Sequence, residues 1–417
     1  QPGANGEEQV CYRVLVEDGV RGQPVQIGQP TTIRAPQDEI VYVGPTTELD
    51  PVDVKGTIAY ISNRNVWVMK GTNVVRRPLT TTGDVDPLRA FSLTPDGQQI
   101  LFTRTQAGVT DFNNQLWLLP DTNAIDPQSI KLRPENILYA EWVPNRPNTI
   151  AYSRAEPRRT APGWGAYNDL WLMTIDPQSG TDIRIDPVIE ESPGGGGPYG
   201  WWGRQYAWSP DGTRLAYIHA DGVGLVNLET GEIGEPIIRY EVFTPRSDWS
   251  WRTSISWSPD GNLIATTSHG APIGSESPDR SPVFDVSIVS SSGGFNAPLV
   301  EQAGIWSFPK FSPFVANEAS LPVVYLAWMQ ARQPLNSIAD TAEYDLMVAD
   351  RDGSNPRRIF PTDENQRGIA TRDYAWSPDG RQLVLVYQGN LWLVDVESAI
   401  ARQLTLDGNA SRPVWSR

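Results

Sequence analysis

The chain is poor in the residues on which most reactive chemistry depends. Its 417 residues include one cysteine, Cys11, and two histidines, His219 and His269. A single cysteine excludes an intrachain disulfide and any multi-cysteine metal site. Two histidines exclude a His-rich metal centre, so neither metal nor cofactor is expected. Lysine is scarce as well, limited to Lys55, Lys70, Lys131 and Lys310 among 34 basic residues. Against 49 acidic residues these leave a formal net charge of −15. Such a surface repels a phosphate backbone, so nucleic acid is not expected as a partner. No apolar run approaches the roughly 18 residues of a membrane helix. The longest, Leu321 to Met329, is about half that and contains Pro322. The chain starts Gln-Pro-Gly without a signal-peptide pattern. It reads as a processed bacterial chain working outside the cytoplasm, in the periplasm, at the cell surface or secreted. The first residue is not cysteine, which argues against a lipid anchor on this form.

What is abundant points to a punctuated, aromatic-rich β protein. There are 36 Gly, 36 Pro and 16 Trp, with charged residues at only 20%. One pattern recurs: an aromatic pair, Ser-Pro-Asp-Gly, then an alternating apolar strand. The clearest copies are Tyr206 to Gly212, Ile255 to Gly261 and Tyr374 to Gly380. Phe91 to Gly97 is a close fourth, and Glu141 to Pro144 and Lys310 to Pro313 are degenerate. Pro presets φ in a turn, Asp bonds nearby backbone, and Gly accepts positive φ, so each copy is a tight hairpin. Third strands follow, as at Leu116 to Leu119, Leu170 to Met173 and Leu391 to Val394, and a fourth closes the unit near Arg402 to Thr405.

Four short antiparallel strands repeated radially make a β-propeller blade, and this sequence contains seven such units. Six carry their own first strand, starting near Leu88, Ile137, Arg204, Thr253, Ile305 and Arg372. The first unit lacks one. The C-terminal segment 411–417, Ser-Arg-Pro-Val-Trp-Ser-Arg, is that missing strand stopped at its turn. Joined to Gly56 to Tyr60 it closes the ring and removes the exposed sheet edges. The fold expected is therefore an all-β, seven-bladed propeller over residues 56–417, closed by strand 411–417, with residues 1–55 as a strand-containing extension.

These Trp-Ser-Pro-Asp-Gly copies, the Leu-Trp-Leu strand and the Arg-x-Leu-Thr ending resemble TolB-type, WD-repeat-like propeller repeats. The resemblance spans roughly residues 56–417 and implies the fold. Its members include a periplasmic partner-binding protein, the propellers of prolyl oligopeptidase-like peptidases and some polysaccharide-processing enzymes. TolB itself places an α/β domain ahead of six blades. Seven blades behind a short extension set this chain apart from it.

The extension holds strand-like runs at Val10 to Val16, Thr31 to Arg34 and Glu39 to Val43. It is short for a core of its own and is expected to pack on the propeller, or else on a partner chain. Cys11, in an alternating run, is expected to be a buried structural thiol.

Blade geometry sorts the loops by face. Turns between first and second strands, and between third and fourth, share one face and are short. The long segments collect on the other: Ala155 to Asn168, Ser268 to Pro282 and Gln330 to Glu343 within blades, and Glu190 to Gly203 and Arg239 to Arg252 between blades. They carry Arg158, Arg159, Trp164, Tyr167, Tyr199, Trp201, Trp202, Arg246, Trp249, Trp251 and Arg252. Aromatics and arginine anchor protein interfaces, and aromatic faces also suit sugar rings. The run Gly194 to Gly197 would let its loop move or approach a ligand, but it lacks the strand–helix setting of a phosphate loop.

Catalytic signatures are missing from the sequence. No Gly-x-Ser-x-Gly elbow occurs. His219 reads as structural; His269, near Glu276 and Asp279, is the better site candidate. Glu190, Glu191, Asp248, Glu276 and Asp279 share the insertion face, yet no spacing singles out a glycosidase pair. Asp350 to Gly353 lacks a full calcium ligand set and reads as a turn. The leading expectation is a non-enzymatic scaffold that binds a protein partner. The alternative is a carbohydrate-binding propeller or glycosidase using the same face.

Overall fold

Local turn chemistry builds this molecule. In the computed structural model, which describes residues 6–35, 49–106, 112–317 and 321–417, each Ser-Pro-Asp-Gly copy is a closed hydrogen-bonded knot. Ser209 Oγ donates to Asp211 Oδ1, whose other donor is the Thr213 N–H at 3.1 Å. The Arg214 N–H returns to Ser209 Oγ at 2.9 Å. The same bonds recur at Ser258–Asp260, Ser377–Asp379 and Thr94–Asp96. Hydroxyl and amide donors from Ser209 and Thr213 hold Asp211 down at about 2. Gly212 takes φ +68°, and a Cβ there would lie 1.9 Å from Pro144 O of the preceding blade. Glycine is thus required both by the turn and by the packing between blades.

The turns organise seven antiparallel sheets. Blade 2 runs Phe91–Leu93, Ile100–Thr105, Asn114–Leu119, Ile130–Glu135 from first strand to fourth. Blades 3 to 7 repeat this order, with first strands Ile137–Trp142, Gln205–Trp208, Ile255–Trp257, Lys310–Phe311 and Tyr374–Trp376. Blade 1 joins the two ends of the ring. Ala410–Ser416 pairs with Asp53–Ser62, which pairs with Asn65–Pro78. That last strand is long enough to run out and return, and the N–H groups of Leu79 and Thr80 donate to Val66 O at 2.7 and 3.4 Å. The ring closure expected from the sequence is therefore present, with the closing strand at Ala410–Ser416. Among the described residues there is no α-helix. The single-turn 3-10 helices Gly200–Trp202, Pro278–Arg280 and Pro334–Asn336 all lie in the long segments of the insertion face.

The core is a set of layers between blades. Val54, Ile58, Tyr60 and Met69 of blade 1 meet Val384, Val386, Leu391 and Leu393 of blade 7. Equivalent clusters fill the gaps between blades 1 and 2, 2 and 3, 3 and 4, 5 and 6, and 6 and 7. A smaller one, with Ala216, Trp257 and Ile264, lies between blades 4 and 5. The tryptophan of the repeat adds a directional tie. Trp257 Nε1 donates to Ala207 O at 3.1 Å and Trp376 Nε1 to Lys310 O at 3.0 Å, each reaching the first strand of the preceding blade.

Chain contacts divide the protein into Gln1–Asp50 and Pro51–Arg417. The described part of the N-terminal unit pairs Glu7–Arg13 with Val25–Arg34, and Val16–Glu17 with Val20–Arg21. The run Glu39 to Val43 lies outside the described residues. Cys11 is exposed, which corrects the expectation of a buried thiol. It pairs with Ile27 in a two-stranded ribbon. Alternation sorts side chains onto two faces of such a ribbon, and burial requires a second layer.

Candidate functional site

The insertion face is held by buried polar clamps that the sequence did not announce. Arg204 is buried just ahead of the blade 4 first strand. Its Nε donates to His219 Nε2 at 2.9 Å, its Nη1 to Asn168 O at 3.0 Å, and its Nη2 to Gly195 O. Asn168 in turn accepts from the Arg204 N–H and donates to Gly200 O at 2.9 Å. These bonds pin the 190–203 connection. The glycine run serves this packing: a Cβ at Gly196 would meet Asn168 Oδ1 at 2.6 Å, and one at Gly197 would meet His219 Nδ1 at 2.9 Å. Close approach within the chain accounts for Gly196 and Gly197, whereas Gly194 faces open space.

Because a guanidinium only donates, His219 Nε2 must be the unprotonated acceptor. Burial, then the charges of Arg204 and Arg252, push His219 down to about 3. Between its ordinary value of 6.5 and that value, the unfolded chain binds a proton that the folded chain refuses. Stability is therefore full above pH 6.5 and declines as pH falls. We expect the unfolding free energy to drop by roughly 1 kcal/mol per pH unit on acidification through this window. Urea titrations at stepped pH measure it. His219→Gln, which keeps an acceptor, should flatten the profile; an equally steep profile in the variant would remove His219 as the cause.

A second clamp is Arg252, also buried. It donates to Ser250 Oγ, Trp251 O and Tyr199 O, the last at 3.0 Å. It joins the 239–252 connection to the neighbouring one, and desolvation lowers it to about 10.

The aromatic residues singled out in the sequence fall into two groups. In the first, Trp164 packs on Phe112 and Trp202, Trp202 on Trp201, and Trp201 on Tyr199. Trp164 is buried; Trp201, Trp202 and Tyr199 are partly exposed. Trp164 lies on Trp164–Ala166, which pairs with Ala155 to Pro157, so the blade 3 insertion is an extension of the sheet. In the second group, Trp251 is 1% exposed among Tyr240, Phe284 and His269. Trp249 is partly exposed and packs on Phe243 and Trp306. Trp164 and Trp251 thus lie beneath the loops, while Trp201, Trp202 and Trp249 reach the surface. Arg158 and Arg159 are exposed, Arg158 bonded to Glu156. Tyr167 stands apart, in a hollow with Arg154 and Trp171.

Beside Trp249 opens a cleft of about 780 Å³. Its walls come from the 239–252 connection (residues 243–247 and Trp249), Arg280, Trp306, the blade 6 insertion (Asn336, residues 338–340 and Ala342), Tyr344 and residues 370–372. Trp306, Arg280 and Arg372 were not identified from the sequence. The signal was available, since residues 305–308 and 370–372 are fourth-to-first connections and so share the insertion face.

The candidate chemical groups have local duties. Both ring nitrogens of His269 face carbonyls, Glu241 O at 2.8 Å and Ser281 O at 2.9 Å. Glu191 pairs with Arg154 at 2.6 Å. Glu276 is held below the usual carboxylate range by backbone N–H donors, its own and that of Ile273. Hydrogen bonds to Ser277 and Thr244 do the same for Asp279. A glycosidase acid needs the opposite displacement. Among the described residues no group of three or more His, Cys, Asp or Glu is placed to hold a metal. No described helix is long and apolar enough to cross a membrane.

Residues 1–46 match the family model of the G5 domain. No curated protein matches the chain. Solved structures similar to it include a prolyl endopeptidase, with TM-score 0.52 at 12% identity, covering 88% of this chain and 49% of that one. Others are Kuenenia stuttgartiensis hydrazine synthase (TM-score 0.43, 14% identity, 76% of this chain and 79% of that one) and a TolB-like protein of Agrobacterium tumefaciens (TM-score 0.40, 15% identity, 86% and 100%). The chain spans about half the length of the peptidase. At such identities the likeness is one of fold alone.

Proposed function

We propose that the protein is a non-enzymatic propeller scaffold that binds a protein partner through its insertion face, within an assembly outside the cytoplasm. The observation that carries this reading is the set of partly exposed tryptophans, Trp201, Trp202 and Trp249, on connections held by buried Arg204 and Arg252. Rigid aromatic anchors lose little freedom on binding, and such residues dominate interface energetics. Glu276 and Asp279, held ionised by local donors, are unsuited to serve as the acid of a glycosidase. The extracytoplasmic location follows the resemblance of the repeats to those of a periplasmic protein, and cell fractionation tests it.

The interface test is a quantitative pull-down with Trp201→Ala/Trp202→Ala beside wild type. We expect recovery of the partner to fall roughly tenfold or more, as for a truncated aromatic anchor, with the melting temperature lowered by only a few degrees. Equal recovery of every partner would reject the role of this pair. A photo-crosslinking residue at position 201 should capture the partner, and one at Thr213 on the opposite, turn-bearing face should not.

A further inference from the structure

The cleft beside Trp249 has a chemistry of its own. Arg246, Arg280 and Arg372 line it, and Asp340 is the sole carboxylate on its walls. Among the described residues, none of these three arginines takes part in an ion pair within 4.0 Å. Other described arginines also lack an ion pair, but these three converge on one cleft. The net charge is −15, and elsewhere arginines such as Arg154, Arg332 and Arg358 are each shared between two carboxylates. Arg372 is also fixed. Its guanidinium carbon lies 3.3 Å from the centre of the Trp306 ring, so its flat face is covered and its N–H edges are left for an anion.

The same stacking decides the class of ligand. A sugar needs an open aromatic face. Trp306 has Arg372 against its ring, Trp249 at 5.7 Å and Phe308 at 6.1 Å. Arg372 covers one face, and Trp249 and Phe308 crowd the ring from within the chain. What remains open are guanidinium edges beside apolar residues such as Trp249, Ile338 and Ala342. That combination suits carboxylate side chains alternating with aliphatic ones. We propose that this cleft binds an acidic peptide segment of the partner, Glu or Asp carboxylates meeting Arg246, Arg280 and Arg372. The inference rests on the partner-binding reading and names its chemistry. The protein's overall negative charge does not oppose it at contact range, because at physiological salt it is screened beyond about 8 Å.

The test uses the full chain and a fluorescein-labelled octapeptide alternating Glu and Leu, with its Gln–Leu counterpart, read by anisotropy. The Glu peptide should bind roughly tenfold tighter than the Gln peptide, and its affinity should fall as ionic strength rises. Arg246→Ala/Arg280→Ala, at two exposed loop positions, should weaken it roughly tenfold while the melting temperature holds. Trp201→Ala/Trp202→Ala should leave peptide affinity unchanged. Equal binding of the two peptides, equal binding by the arginine variant, or tighter binding of oligogalacturonate would each overturn the acidic-peptide assignment. So would binding that tracks self-association of the chain in sedimentation. If the peptide fails while Trp201→Ala/Trp202→Ala still abolishes partner recovery, the cleft assignment falls and the scaffold reading stands. If partner recovery is insensitive to the tryptophans while the peptide binds, the tryptophan pair loses its role and the cleft assignment stands.

Discussion

Deleting residues 410–417 should leave a chain that does not accumulate as a soluble folded ring. The segment is less than a fiftieth of the protein, and its loss would be disproportionate because of where it sits. Ala410–Ser416 is the first strand of blade 1, supplied from the far end of the chain. Without it, Asp53–Ser62 becomes an unpaired edge carrying Ile58, Ala59, Tyr60 and Ile61, all now fully buried. Such an edge invites pairing with other chains. Two neighbouring gaps also lose material, since Trp415 packs toward blade 7 and Val414 toward blade 2. Arg412 goes with them: its backbone N–H meets Asp373 Oδ2 at 3.0 Å, and its Nη1 donates to Pro87 O at 3.1 Å. A few buried side chains at about 1.5–3 kcal/mol each approach the 5–15 kcal/mol that holds a typical domain together. The outcome is read as soluble yield, a melting curve and size-exclusion profile. A peptide of residues 408–417 added during refolding should restore part of the yield. A soluble truncated chain with an unchanged melting temperature would show that the ring does not depend on its closing strand.

That strand also shows what made the fold legible. Ser209, Asp211 and Gly212 satisfy one another within four residues, so the turn can be read from its letters wherever it occurs. The closing strand was legible for a different reason, since a unit missing its first strand and a chain ending on an isolated one are complementary halves. The candidate site depended on long-range contacts. Arg204 meets Asn168 across 36 positions and His219 across 15, and no local pattern joins them. Trp306 and Arg372 meet only because blades 6 and 7 are neighbours in the ring. The tryptophans lie in the long segments of the insertion face. Which of them face water depends on packing between connections, as Trp164 under Trp202 and Trp251 under Tyr240 illustrate.

Trp251→Ala should destabilise the propeller by about 3–5 kcal/mol, the range for emptying a buried aromatic site. Trp249→Ala should cost about 1 kcal/mol or less, the worth of a partly exposed stacked ring. The two residues are two positions apart and were equivalent in sequence. Their surroundings separate them. Trp251 is 1% exposed, bonds Ile305 O at 3.3 Å through Nε1, and lies 5.1 Å from Phe284 and 5.6 Å from Tyr240. Removing it leaves a cavity at the root of the 239–252 connection and takes a backbone partner from the connection ahead of blade 6. Trp249 caps the cleft from outside, tilted 33° over Trp306. Its loss should spare the fold and weaken the acidic-peptide probe. Urea midpoints and peptide anisotropy on the same two variants check both halves. Opposite rankings in the two measurements are expected: Trp251→Ala worse in stability, Trp249→Ala worse in affinity per unit of stability lost. If Trp249→Ala proved the more destabilising, the division between packing and surface tryptophans drawn from their exposure would be wrong.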